Sequence, residues 1–501
     1  MIAEPPSRFR REFLRTLASG AMFGTLPACV TQNVATGRTS FTGSLSLDDD
    51  IRIGEAEHPK LLAEFGGEYR NRRIQLYIDR VGKRLAPFTE YQIYPYRFTV
   101  LNSPIVNAFA LPGGFVYVSR GLLALAANEA EVAGVIAHEL GHVNARHGAE
   151  RRSAATLAQL GVLAATLGGA ALGVDPNTTA RLGQGIAMMA IQGYSRTQEF
   201  EADRLGVRYL ARAGYDPDAM VTFLSTLRSQ SKIEAELLGL PPGSVDEFNF
   251  MSTHPRTVDR VKAATEAAAV ARPAGARIAR DDYLTALDGM LFGDDPSEGL
   301  ILGQRFAHPG LRVEFTVPKG FRLQNSPKHV TATSSDGAAI VFDIAKAKRK
   351  GPAADYILGE WAANAQLRAV ERLKVEGRDA ATALTGARTR RGDADIRLVA
   401  VRRDARSFYR FLFVSPGGET RERSESYHDT VRSFHRLSPA QASAIKPLRL
   451  LVVPSQPGDK VAILARNLPY GRANARWFRM MNGLARSAEP APNQRLKVIA
   501  S

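Results

Sequence analysis

Residues 138–142 read His138-Glu139-Leu140-Gly141-His142. On a helix, positions i and i+4 share one face, so both imidazoles project the same way and can hold one metal ion between them. Glu139 falls one step around the axis, close to such an ion without being forced to bind it. A carboxylate there can act as general base toward a water that the ion has acidified. The chain has one cysteine, Cys29, so neither a thiolate cage nor an internal disulfide is available, and the ligands must be His and carboxylate. Two imidazoles leave a catalytic zinc one protein ligand short. The best source of the third is Ser195-Arg196-Thr197-Gln198-Glu199-Phe200-Glu201-Ala202-Asp203, in which Glu199 and Asp203 are i and i+4 and face the same way. One can bind the ion while the other hydrogen-bonds a ligand imidazole from behind. In the longer pattern H-E-x-x-H-x-x-G-x-x-H the last histidine would fall on Gly148. His147 is off by one, and is expected to point elsewhere as a cation at the helix end.

The elements that must present these groups leave their own signals. Asn128 with Glu131 three residues on predicts a capping box, and Gly148 predicts a stop. Between them Val132, Val135, Ile136, Leu140 and Val143 form an apolar stripe lying largely away from the histidines. Ser195 opens a second helix that Gly214 ends, with Asp216-Pro217 starting the next. From about Ile51 to Val270 the pattern is mostly helical, with one strand zone from Tyr94 to Ser119.

Taken in order, four blocks resemble the HtpX/BepA group of gluzincin metallopeptidases, which also includes the CAAX prenyl endopeptidase. They are Asn107-Ala108-Phe109-Ala110-Leu111-Pro112-Gly113-Gly114, His138 to His142, Ser195 to Asp203, and Thr253-His254-Pro255. The resemblance covers about residues 50–270. It implies one zinc per chain held by His138, His142 and Glu199, with Glu139 as general base and Asp203 orienting a ligand histidine. It implies that Asn107, Ala108, Phe109 and Ala110 form an edge strand on which an extended peptide lies. It also implies that His254 stands near the metal, to stabilise the oxyanion or to fill the open zinc position at rest; a histidine capping the turn before Pro255 is the plainer alternative. The chain shows neither the obvious membrane spans of the HtpX branch nor the helical-repeat tail of BepA.

The first residues read as an address. Arg10-Arg11-Glu12-Phe13-Leu14-Arg15 precedes an uncharged run from Thr16 to Ala28, the pattern of a secretory signal too short to span as an anchor. The paired arginines resemble a twin-arginine export signal. Leu26-Pro27-Ala28-Cys29 resembles a bacterial lipobox, with Cys29 the lipidated residue; a plain cleaved signal with an incidental cysteine is the alternative. The expected location is the periplasm, with a lipid anchor in the outer membrane. Lys and Arg outnumber Asp and Glu by 66 to 50, a formal charge of +16, and loss of residues 1–28 removes four arginines and two glutamates to leave +14. In an exported chain that excess favours envelope surfaces and disfavours nucleic acid. An apolar fraction of 45% with 23% charged residues excludes a wholly disordered or polytopic membrane chain.

The expected architecture is multidomain: a mainly α zincin-like peptidase domain with a small β-sheet, then a small α+β domain, then a short βααβ module. After the signal at 1–28, residues 29–50 read as a tether and 51–272 as the peptidase domain. Residues 300–440 form the α+β domain, of unknown role, with Ala353 to Leu373 as its best helix and Arg388, Arg390 and Arg391 on a solvated face. Residues 447–501 run strand, turn, helix, helix, strand and resemble a LysM module, which binds peptidoglycan; a small cap that binds nothing is the alternative. Ala154 to Val174 is uncharged over 21 residues, yet is mostly Ala, Gly and Thr. The presumed metal ligands lie on both sides of it, so it reads as a buried or membrane-touching helical hairpin. The expected function is zinc-dependent hydrolysis of unfolded or misassembled envelope proteins. A chaperone or assembly factor with a closed site, or a peptidoglycan-binding scaffold, are the rivals. An intact Glu139 argues against both, since binding alone needs no base.

Overall fold

The computed structural model describes residues 30–156, 193–237, 254, 258–389 and 392–501. The signal, Cys29, most of the 154–174 stretch, Arg390 and Arg391 lie outside the described residues.

The chain opens with a hairpin of β1 (Val30–Gln32) and β2 (Thr39–Phe41), paired antiparallel. Residues 30–50 are therefore folded, unlike the tether expected over residues 29–50 from their composition. Asn33 is the reason: its Oδ1 accepts from the Ala35 and Thr36 amides, bending the chain, while its Nδ2 donates to the Asn144 carbonyl at 3.0 Å and docks the hairpin. Helix α1 (Leu47–Glu64) follows, opened by a Ser46–Asp49 capping box, and then α2 (Arg72–Leu85). The expected strand zone is a three-stranded sheet of β3 (Arg97–Leu101), β4 (Ala108–Leu111) and β5 (Phe115–Ser119). Its order is β3-β5-β4, with β3 and β5 parallel and β4 antiparallel on the outside.

A short α3 (Arg120–Leu125) leads to α4 (Glu129–Asn144), which carries the paired histidines. Every residue of α4 is buried, so it is the central helix of the domain rather than an amphipathic one with a wet face. Asn128 caps it by accepting from the Glu131 amide, but the Glu131 carboxylate turns back to the Ala127 amide, so the reciprocal half of the predicted box is absent. Around α4 lie α5 (Arg196–Arg212), α6 (Asp218–Leu237), α7 (Val258–Ala271) and α8 (Arg280–Leu287). α5 begins with a full Ser195–Gln198 capping box, and Gly214 follows it at φ +79°.

The 300–437 region is built of two antiparallel sheets. One has four strands, in the order His435–Arg436 (β17), Val313–Thr316 (β9), Arg305–His308 (β8) and Leu300–Leu302 (β7). The other has seven, in the order Arg322–Asn325 (β10), His329–Thr333 (β11), Ala339–Lys346 (β12), Ser407–Pro416 (β16), Gly392–Asp404 (β15), Arg378–Thr389 (β14) and Arg368–Val375 (β13). Helix α9 (Thr420–Ser433) packs on β9 and β16. The helix expected over Ala353 to Leu373 is corrected here. Only Ala353–Tyr356 is α-helical, a π turn follows over Ile357–Trp361, and Arg368–Val375 is β13. β13 turns into β14 (Arg378–Thr389) through Glu376 and Gly377, both at positive φ, the two-residue hairpin geometry that ends any helix.

The last segment has the expected order: β18 (Leu448–Pro454), a short helix Val461–Leu464, α10 (Asn474–Asn482) and β19 (Arg495–Ala500). It is not self-contained. β18 pairs with β19 on one side and with β6 (Met290–Phe292) on the other, and Trp477, Phe478, Leu496 and Ile499 share one apolar cluster with Leu122 and Leu123 of the peptidase region. Among the described residues, no helix is long and apolar enough to cross a membrane.

Candidate metal centre

α4 and α5 cross closely enough to bring their polar groups together in a buried site. His138 Nε2 and His142 Nε2 are 3.1 Å apart. Glu199 places Oε2 3.6 Å from His138 Nε2 and Oε1 3.3 Å from His142 Nε2. His254 reaches the same point, its Nδ1 3.3 Å from His138 Nε2 and 2.9 Å from Glu199 Oε1. One donor atom from each of these four buried residues lies within 4.8 Å of all the others. A tetrahedron with zinc–nitrogen and zinc–oxygen bonds of about 2.0–2.1 Å has edges of about 3.3 Å, so the donor set fits that ion in both spacing and type. Glu139 stands beside the cluster, its Oε1 3.5 Å from His254 Nε2.

The charges around the site keep the donors in ligating form. Burial pushes the Glu199 carboxyl up, but His254 and the Arg260 guanidinium outweigh it and hold the group well below the usual carboxylate range. Asp203 is likewise raised by burial and lowered more by Arg260 and His138, to about 2. Its Oδ1 faces His138 Nδ1 at 2.9 Å, where a carboxylate leaves Nε2 as the metal-binding nitrogen. Burial drives His142 well below its ordinary pKa against the pull of Glu199, which favours the neutral imidazole that a metal needs.

Arg260 escaped the sequence reading. It donates to both oxygens of Asp203 at 2.7 Å and also contacts Glu199, deep in the interior. The signal was present: two buried carboxylates need a counter-cation, and α7 follows His254. Tyr194 was missed as well, although it directly precedes Ser195. Its ring stacks on His142 at 3.7 Å and 15°, with the Arg151 guanidinium 3.9 Å from the same ring, and burial pushes its hydroxyl up to about 12.

His147 requires a correction. It is not a helix-end cation: it is wholly buried, and burial lowers its pKa. α4 stops at Asn144, before the predicted stop at Gly148, and Arg146 takes φ +56°. That left-handed residue is held by its guanidinium, which donates to Asp50 and to the Leu45 and Ser46 carbonyls. The turn swings His147 back, so that its Nδ1 lies 2.8 Å from His142 Nδ1 and its Nε2 3.0 Å from Glu201 Oε2. Extrapolating an unbroken helix could not have found it.

Of the expected peptide-binding strand, Asn107 precedes β4 and Ala108, Phe109 and Ala110 lie in it, all buried. The Asn107 amide nitrogen donates to Ser119 Oγ, and its own Oδ1 accepts from the Ala108 amide. β4 has one neighbour in its sheet, and Ala110 and Leu111 line a small cavity shared with His142, Arg146 and Tyr194. Among the described residues that cavity measures 20 Å³, room for about one water and not for a peptide.

Residues 72–268 match peptidase family M48. The beta-barrel assembly-enhancing protease of Yersinia pestis is 31% identical over 269 residues, covering 52% of this chain and 52% of that protein. The protein of the same name from Escherichia coli (strain K12) is 30% identical over 258 residues, 49% of each. Mitochondrial metalloendopeptidase OMA1 of Schizosaccharomyces pombe is 28% identical over 220 residues, 44% of this chain and 60% of that one. The chain thus spans about half the length of the bacterial relatives it matches.

Proposed function

We propose that this chain, whose residues 72–268 match peptidase family M48, is a zinc-dependent endopeptidase of the bacterial envelope acting on unfolded or misassembled envelope proteins. The observation that carries this reading is the buried His138–His142–Glu199 donor set with Glu139 beside it. A zinc ion held there supplies a Lewis acid that polarises the scissile carbonyl and acidifies water. Glu139 takes the proton from the attacking water and returns it to the leaving amine. Asp203 fixes the tautomer of His138, and Arg260 keeps both α5 carboxylates ionised. The outer edge of β4 pairs with an extended substrate main chain, a mode that reads unfolded segments rather than folded surfaces. His254 would occupy the open place beside the donors at rest and give way to substrate; its Nδ1, 3.3 Å from His138 Nε2 and 2.9 Å from Glu199 Oε1, supports this role over a simple turn cap.

Two relatives carry β-barrel assembly in their names, which supports outer-membrane proteins as a substrate class for this chain. The signal at residues 1–28 would direct export, and a lipid on Cys29 would hold the enzyme at that membrane. Peptidoglycan is the proposed ligand of residues 447–501. Because that segment shares the peptidase core, the whole chain is the object to test. Ile463, 60% exposed on the short helix after the Pro457-Gly458-Asp459 turn, is an apolar surface for a sugar ring. The whole chain should pellet with peptidoglycan and Ile463→Asp should pellet less; equal pelleting of neither above a control protein ends the idea.

The activity is tested by degradation of an unfolded model protein by the purified chain beside Glu139→Gln, at matched zinc occupancy. Cleavage by the native chain alone supports hydrolysis through Glu139. If neither cleaves while both hold zinc, His254→Ala decides: new cleavage means a site closed at rest, and none means a binding protein.

A further inference from the structure

We infer that the N-terminal hairpin is a working part of the metal centre: Arg38, at the foot of its turn, positions the ligand His142 through Glu201 and His147. The inference rests on the metal reading above. His142 presents Nε2 to the donor cluster, so its Nδ1 carries the proton and needs an acceptor. The acceptor is His147 Nδ1 at 2.8 Å. That bond leaves His147 with its proton on Nε2, which donates to Glu201 Oε2 at 3.0 Å. Glu201 is gripped in turn by Arg38, Nε to Oε1 at 2.7 Å and Nη2 to Oε2 at 3.2 Å. Arg38 Nη2 also donates to Glu150 Oε1 at 2.8 Å, and Glu150 Oε2 accepts from Gln198 Nε2 at 2.8 Å. Each imidazole N–H in this sequence has one acceptor, so both histidine tautomers follow once His142 binds a metal through Nε2.

The two ligand histidines are thus oriented differently. His138 meets a carboxylate directly, at Asp203. On its Nδ1 side His142 reaches a carboxylate only through a second imidazole, and that carboxylate, Glu201, is held by Arg38, far away in sequence. An incidental surface ion pair would not explain this arrangement, because His147 is wholly buried between its two partners. The hairpin is seated independently by the Asn33–Asn144 bond at the end of α4, so Arg38 approaches Glu201 from a held turn. β1 begins at Val30, directly after Cys29, so the residue proposed as the anchor and the metal centre are separated by no free linker.

The test reads zinc affinity, by competition with a chromophoric chelator, in the full chain. His147→Leu should weaken zinc binding by about 10–100-fold, the usual effect of losing an outer partner of a ligand histidine. Arg38→Ala should weaken it less, and should add nothing in the His147→Leu background. His147→Asn offers Oδ1 in place of Nδ1 but is too short to reach Glu201. It should hold zinc near native strength while becoming insensitive to Arg38→Ala. Thermal unfolding of the zinc-free proteins separates these effects from misfolding. Zinc affinity of His147→Leu within about twofold of native, or equal effects of Arg38→Ala with and without His147, overturns the inference. Failure of the native chain to bind zinc more tightly than His142→Ala would instead remove the metal centre itself, and this inference with it.

Discussion

Arg260 shows how much of the site's behaviour sits in one side chain. It is buried with two carboxylates, Glu199 and Asp203, against its single positive charge. Removing one member of such a cluster leaves uncompensated charge in a medium that solvates it poorly. Arg260→Met should therefore lower the unfolding free energy of the zinc-free protein by about 3–5 kcal/mol. With zinc present the loss should shrink, because the ion lies against Glu199 and supplies the missing charge. Denaturant unfolding with chelator and with zinc makes the comparison; equal losses in the two states would sink the electrostatic account. Glu139 belongs to the same scale but answers differently, since Glu139→Gln should abolish cleavage and leave metal binding nearly intact.

Helices α4 and α5 meet through glycines, and that closeness is what lets Glu199 reach the histidines. A Cβ on Gly141 would come within 2.8 Å of the Ala202 carbonyl oxygen and 2.9 Å of its Cα. One on Gly206 would stand 2.7 Å from Met220 Cε and 3.1 Å from the His138 nitrogen. Glycine inside a helix is ordinarily a weakness of about 1 kcal/mol against alanine. Here the contact more than offsets it, because backbone cannot yield as a flexible side chain would. Gly141→Ala should force the helices apart, cost about 1–3 kcal/mol in stability as overpacked cores do, and weaken zinc binding together with it. A melting curve and a zinc titration on the one variant check both. Unchanged affinity in a destabilised protein would mean that the site does not depend on this spacing.

Across the whole molecule the peptidase region and the C-terminal segment form one body. Lys497 of β19 is buried, and its Nζ donates to the Ala124 and Ala126 carbonyls just before the cap of α4. Burial pushes that ammonium down to about 7, against the opposing charge of Glu131. Glu234 on α6 is half-buried elsewhere, and desolvation pushes its carboxyl up to about 7 despite Arg322 of β10 (Arg322–Asn325) and Gln230. Its folded pKa lies above the unfolded value, so the stability linked to it is fully present below about pH 4.5 and is lost as pH rises to about 7. Glu234→Gln should then stabilise the chain at pH 8, by at most about 3 kcal/mol, with the gain nearly closing below about pH 5. Denaturant midpoints of both proteins across that range test it; a gap that does not change with pH would count against a half-buried, titrating Glu234.

The paired histidines and the carboxylate beside them were legible from residue order, because their placing depends on a single helix turn, whereas the Glu199–Asp203 pair gained its weight from the resemblance of the surrounding blocks. The caps at Asn128 and Ser195 are equally local, and both lie where their residues place them. His147, Glu201, Arg38 and Arg260 were not readable as a group, since what joins them is one left-handed residue at Arg146 and the docking of segments distant in the chain. Nor could apolar periodicity tell a self-contained terminal module from one fused to its neighbour, because Trp477 and Leu496 look the same whichever core they fill. Local order in the sequence pointed to the metal-binding chemistry; long-range packing alone decided what orients His142, which cation offsets the buried carboxylates and which segments share a core.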